Sequence, residues 1–191
     1  MTDRQVTEQI ASRQILIEPP NRRVEIFPLP LSESRLQGLL TRLFEQHWPD
    51  IRFGVMVPGA VYEIKAPNKP ERISYLDGYL TIDFGSWHFH LCIGDYRGSH
   101  EDARVHQTAR AEFYRMLNSD DQPISWGFRM FNGEGQQQLT VFMPNPLLTP
   151  EDKIAREPDW SRLSLWNQLR ESFLGLQPDL IDRTAPAYKN V

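Results

Sequence analysis

The chain has 191 residues with 21 basic and 25 acidic groups, a formal charge of −4 and 11% aromatic residues, so it is large and apolar enough to bury a core and has no overall positive field to draw nucleic acid. Its single cysteine excludes an internal disulfide, and no apolar run approaches the roughly 20 residues that cross a bilayer. With no basic, apolar secretory start at Met1-Thr2-Asp3-Arg4-Gln5, the expectation is a soluble cytoplasmic protein with no membrane partner.

Residues 1–21 carry no firm period and end at Pro19-Pro20, so they read as a flexible arm, followed by a single domain over 22–175 and an extended tail over 176–191. Val24-Glu25-Ile26-Phe27 reads as a short strand. Ser32 then offers an N-cap oxygen, and Leu36, Leu39, Leu40, Leu43 and Phe44 recur at helical spacing until Trp48-Pro49. From Ile51 onward, short apolar runs broken by Pro58-Gly59, Asp77-Gly78 and Gly85-Ser86 predict an antiparallel meander over 52–57, 60–65, 72–76, 79–84 and 87–93.

Ser99 and Asp102 suggest a capped helix running to about Leu117, with Val105, His106, Ala109, Phe113, Met116 and Leu117 as its buried stripe. Residues 124–131 and 138–143 flank Asn132-Gly133-Glu134-Gly135 as a hairpin, with Trp126, Phe128 and Met130 on one face. Asp159 caps a last helix through Leu163, Trp166, Leu169, Arg170 and Phe173, ending near Gly175. The pattern is that of an α+β fold: an antiparallel meander sheet of about five to seven strands, with three main helices packed mainly on one face.

The chemistry concentrates in Trp87-His88-Phe89-His90-Leu91-Cys92-Ile93. Strand side chains alternate between faces, so Trp87, Phe89, Leu91 and Ile93 bury while His88, His90 and Cys92 share the other side. A two-residue loop at Gly85-Ser86 sets the register with the preceding strand, placing Asp83 opposite His88, Thr81 opposite His90 and Tyr79 opposite Cys92. Facing residues sit about 5 Å apart at Cβ, so Asp83 is placed to ligate beside His88 or to orient it. Cys92 lies four residues from His88, about 13 Å along the strand, too far for the two to share an ion without a bend.

Two imidazoles and a carboxylate suit zinc or iron with open positions, and an imidazole on a face with aromatic neighbours also suits haem. His106 is the candidate additional ligand. Tyr79 and Cys92 are candidates for contact with a cofactor, and Arg97 for pairing with its carboxylate. Arg97 lies in Gly94-Asp95-Tyr96-Arg97-Gly98, whose amides are also placed to meet an anion. The sequence thus reads as a protein that binds a transition metal or metallocofactor through His88 and His90, with metal-dependent catalysis as an extension. The competing reading is a non-catalytic structural or partner-binding domain whose histidines sit on an ordinary wet sheet face. No catalytic motif, substrate or oligomeric state can be read.

Overall fold

The computed structural model describes residues 14–19 and 21–187. In chain order its strands are β1 (Gln14–Glu18), β2 (Arg22–Pro28), β3 (Arg52–Gly54), β4 (Met56–Val57), β5 (Ala60–Val61), β6 (Arg72–Leu76), β7 (Tyr79–Asp83), β8 (His88–Cys92), β9 (Thr108–Leu117), β10 (Pro123–Asn132) and β11 (Gln137–Phe142). The α-helices are α1 (Glu33–Gln46), α2 (His100–His106) and α3 (Ser164–Leu174). An antiparallel sheet of six strands has the order β1-β2-β9-β10-β11-β3, while β6-β7-β8 and β4-β5 form two smaller sheets. The α+β class holds, and the meander is divided among these sheets. No described helix is long and apolar enough to cross a membrane.

The chain divides into two units. The first takes in the described residues of Met1–Leu29, Glu112–Phe128 and Phe142–Val191. Here β2 pairs with β9 so that Phe27 faces Phe113 and Glu25 faces Arg115. Both phenylalanine rings meet Trp166 of α3 edge-on, at 5.9 and 6.0 Å, the favoured geometry for aromatic pairs. Val24, Ile26 and Tyr114 form a separate buried cluster.

The fully buried Arg115 is the hub of this unit. Its Nε donates to Glu25 Oε2 at 2.6 Å, Nη1 to Asp182 Oδ1 at 2.8 Å and Nη2 to Asp179 Oδ2 at 2.9 Å. Asp182 also accepts from both indoles, Trp126 Nε1 at 2.7 Å and Trp166 Nε1 at 2.9 Å, and from Arg170 Nη1 at 3.4 Å. A buried guanidinium is tolerated only when its donors and charge are matched, and three carboxylates do so here. Burial would lower the Arg115 pKa, but Asp182 and Glu25 outweigh it and push the value up.

The second unit comprises Pro30–Ala111 and Arg129–Val141. Ser32 Oγ accepts the Arg35 N–H at 3.2 Å and starts α1, whose Leu36, Leu39, Leu40, Leu43 and Phe44 are buried as the periodicity predicts. Phe44 packs edge-on against Phe53, Phe84 and Phe89, at 4.9, 6.4 and 5.5 Å. The apolar side of β7 and β8 is therefore occupied by α1, and their polar side is left outward.

One expectation is corrected. The helix expected from Ser99 to Leu117 stops at His106, and residues 108–117 form β9. Between β2 and β10 its residues 111–115 are buried on both faces, so tertiary placement overrides the helix-favouring Ala, Arg, Glu and Met side chains. Val105 and His106, expected in a buried stripe, are exposed. Within the expected arm, Gln14–Glu18 pair with β2; residues 1–13 and 20 lie outside the described residues. Within the expected extended tail, Leu180–Arg183 form a 3-10 turn that delivers Asp182 to Arg115; residues 188–191 lie outside the described set.

Candidate functional site

Asp77 and Gly78 both take positive φ, 52° and 86°, the backbone of a two-residue hairpin loop whose twist suits flanking strands. This turn pairs Leu76 with Tyr79, Ser74 with Thr81 and Arg72 with Asp83. The next hairpin, closed by Phe84 N–H donating to Trp87 O at 2.9 Å, pairs Tyr79 with Cys92, Thr81 with His90 and Asp83 with His88. That register is the one the Gly85-Ser86 loop predicts.

The outward face of β6-β7-β8 is consequently a grid of three rows: Arg72, Asp83 and His88; Ser74, Thr81 and His90; Leu76, Tyr79 and Cys92. With strands about 4.8 Å apart and alternate residues about 6.7 Å apart, the grid spans roughly 10 by 13 Å. One end is charged and the opposite end is apolar and aromatic. Leu76 is 72% exposed, and Tyr79 meets Tyr96 edge-on at 6.4 Å.

His88 and His90 are both exposed, with ring centroids 4.9 Å apart. His90 Nδ1 shares a 2.7 Å hydrogen bond with Thr81 Oγ1. Asp83 spends one oxygen on its own turn, accepting the Gly85 N–H at 2.9 Å. Among the described residues no three His, Cys, Asp or Glu side chains form a group able to hold a metal ion. His88, His90 and Asp83 share the charged and middle rows of the grid without forming such a group.

His106 does not complete it. Its ring stacks on Tyr96, with centroids 4.7 Å apart and planes 22° from parallel, which joins it to the Tyr79–Tyr96 aromatic group. Cys92 is buried, its thiol donating to Gly94 O at 3.7 Å. Burial pushes its pKa up, against a smaller downward effect of the hydrogen bond with Tyr79; this is the environment of an inert thiol, not of an activated nucleophile. Burial also raises the Tyr79 pKa.

Arg97 Nη1 pairs with Asp77 Oδ1 at 2.6 Å. The loop it sits on is tied to the same turn, since Ile93 N–H and Gly94 N–H both donate to Gly78 O, at 2.9 and 3.0 Å. The Gly94 amide expected to meet an anion is thus already engaged. A Cβ on Gly94 would collide with Tyr75 Oη and Glu33 Oε2, so a larger residue there would have to push that pair aside. Hydrogen bonding to Glu33, with burial, pushes the Tyr75 pKa up to about 12.

The site residues that the sequence reading missed are Arg72, Ser74 and Leu76. Asp77-Gly78 carries the same two-residue loop signal as Gly85-Ser86 and places them by the same rule.

A family model described as a family of unknown function, DUF7676, matches residues 13–175. The chain belongs to that family. The match takes in the whole histidine grid, so the grid is part of the family domain rather than an appendage. No curated protein matches the chain. Among solved structures it is similar to one titled "Crystal structure of ChuX", with a TM-score of 0.50, 12% identity, and 80% of this chain and 78% of that chain covered. At that identity the likeness speaks for the fold.

Proposed function

We propose that this DUF7676 protein binds haem, or a closely related flat metallocofactor, on the outward face of β6-β7-β8, with His90 as the iron ligand and His88 beside it. The observation that carries the reading is a pair of exposed imidazoles 4.9 Å apart on a grid with one charged and one aromatic end. A bare transition metal needs three or four protein donors, whereas haem brings four ring nitrogens and takes one or two ligands from the protein. One imidazole, that of His90, meets the second requirement, and His88 lies 4.9 Å from it on the same face.

The rest of the grid fits an amphipathic, planar ligand. Leu76, Tyr79 and Tyr96 offer apolar and aromatic surface, while Arg72 supplies a planar fork for carboxylates, with Arg97 as a second guanidinium tied up by Asp77 until a ligand competes for it. Asp83 serves the turn and the His88 row rather than the iron. The bound group would supply redox or gas-binding chemistry. The protein's own part is to bind and orient it.

Titration of the untagged protein with haemin, followed by visible absorption, tests this. Saturable one-to-one binding with a shifted Soret band is expected, with affinity lowered at least about tenfold in His90→Ala and less in His88→Ala. Absence of a saturable spectral change, or a titration unaltered in the double alanine variant, overturns the proposal. Zinc titrated in parallel is expected to bind weakly, since only two imidazoles face it.

A further inference from the structure

We infer that β1 is a self-association edge, at which two copies of this chain pair antiparallel through residues 14–18 about a two-fold axis at Leu16. β1 ends the six-stranded sheet, and its inner side is in continuous register with β2 from Gln14↔Ile26 to Glu18↔Arg22. Among the described residues no strand pairs with its outer side. Ile15, Leu16 and Ile17 are 44%, 38% and 66% exposed, so apolar side chains project on both faces of an open edge.

Proteins normally blunt such an edge with Lys, Pro, an inward charge or a bulge, because its unpaired amides and carbonyls are a template for another strand. Gln14-Ile15-Leu16-Ile17-Glu18 holds no Lys or Pro, and its register has no bulge. The segment also complements itself. Antiparallel pairing centred on Leu16 sets Leu16 against its own copy, Ile15 against Ile17 twice, and Gln14 against Glu18, so apolar meets apolar and no like charges oppose.

This register favours a second copy over an unrelated strand. An isologous β1–β1 contact closes as a dimer, whereas β1 against β3, the opposite edge of the same sheet, would continue into open filaments. Five residues a side make a small interface, so the dimer is weak and concentration-dependent.

Sedimentation velocity of the full chain, from low micromolar to near-millimolar concentration, reads this directly. The wild type is expected to shift from monomer to dimer. Leu16→Lys sets two like charges on the axis and moves the midpoint upward by at least about tenfold. Ile17→Glu alone weakens the dimer, and adding Ile15→Lys restores it, because each new lysine then faces a new glutamate across the axis. Far-UV circular dichroism checks folding, and the rescue pair decides the matter should Leu16→Lys fail to fold. Monomer at every concentration, a dimer indifferent to Leu16→Lys, or a chain that dimerises only after residues 1–12 are removed each overturns the inference.

Discussion

At the scale of single residues, the 2.7 Å hydrogen bond between Thr81 Oγ1 and His90 Nδ1 holds the imidazole ring and engages one nitrogen, and under the proposed haem reading Nε2 is the atom that would meet the iron. Thr81→Val is therefore expected to lower haemin affinity by about ten- to a hundredfold and shift the Soret maximum, while Thr81→Ser, which keeps the hydroxyl, restores both. An unchanged spectrum in the valine variant would remove Thr81 from this role. Thr81, His90, Asp83 and His88 were placed correctly by one local rule, the two-residue loop. The same rule put Cys92 opposite Tyr79, but not its burial, which depends on Tyr79 and on the path of the chain through Gly94 and is encoded by no spacing. His106 ends its helix rather than lying in the middle of a long one, and its ring turns to Tyr96 instead of a buried stripe.

Whole elements were legible where one face is buried and the other wet. In α1 the cap and stripe were read in full, since Leu36 to Phe44 alternate with solvent at the helical period. β9 was not legible. Buried on both faces over residues 111–115, it shows no period of two, and its Glu112 and Arg115 look like a solvated helix surface until Glu25, Asp179 and Asp182 are brought to it by distant parts of the chain. Arg115→Ala tests that account, because it leaves buried carboxylates without their cation. Chemical denaturation is expected to show a loss of about 3–5 kcal/mol. Arg115→Met combined with Glu25→Leu, which removes one buried charge of each sign and leaves Asp182 with Arg170 and both indoles, is expected to lose less than the single alanine change, and an equal or larger loss would show that lost packing rather than uncompensated charge sets the penalty.

For the molecule as a whole, the fold does not end where the family match ends at residue 175, because Asp179 and Asp182 complete the charge balance around Arg115. A chain stopped after Gly175 is expected to melt about 10 °C lower, the consequence of several kcal/mol in a domain of this size; an unchanged melting temperature would make the segment dispensable. The same segment sets the response to acid. Burial alone would raise the Asp179 carboxyl, yet hydrogen bonds from Arg115 and the Ile181 N–H, with the nearby charge of Arg170, hold it below the usual carboxylate range. A carboxyl depressed in the folded state takes up its proton more readily once unfolded, so its stabilisation is complete above about pH 4 and fades as pH falls through the lower folded value. The urea midpoint is therefore expected to drop on acidification through that window. Asp179→Asn should be less stable near pH 7 and show a shallower acid slope, and parallel slopes in the two proteins would mean that other carboxylates govern the transition.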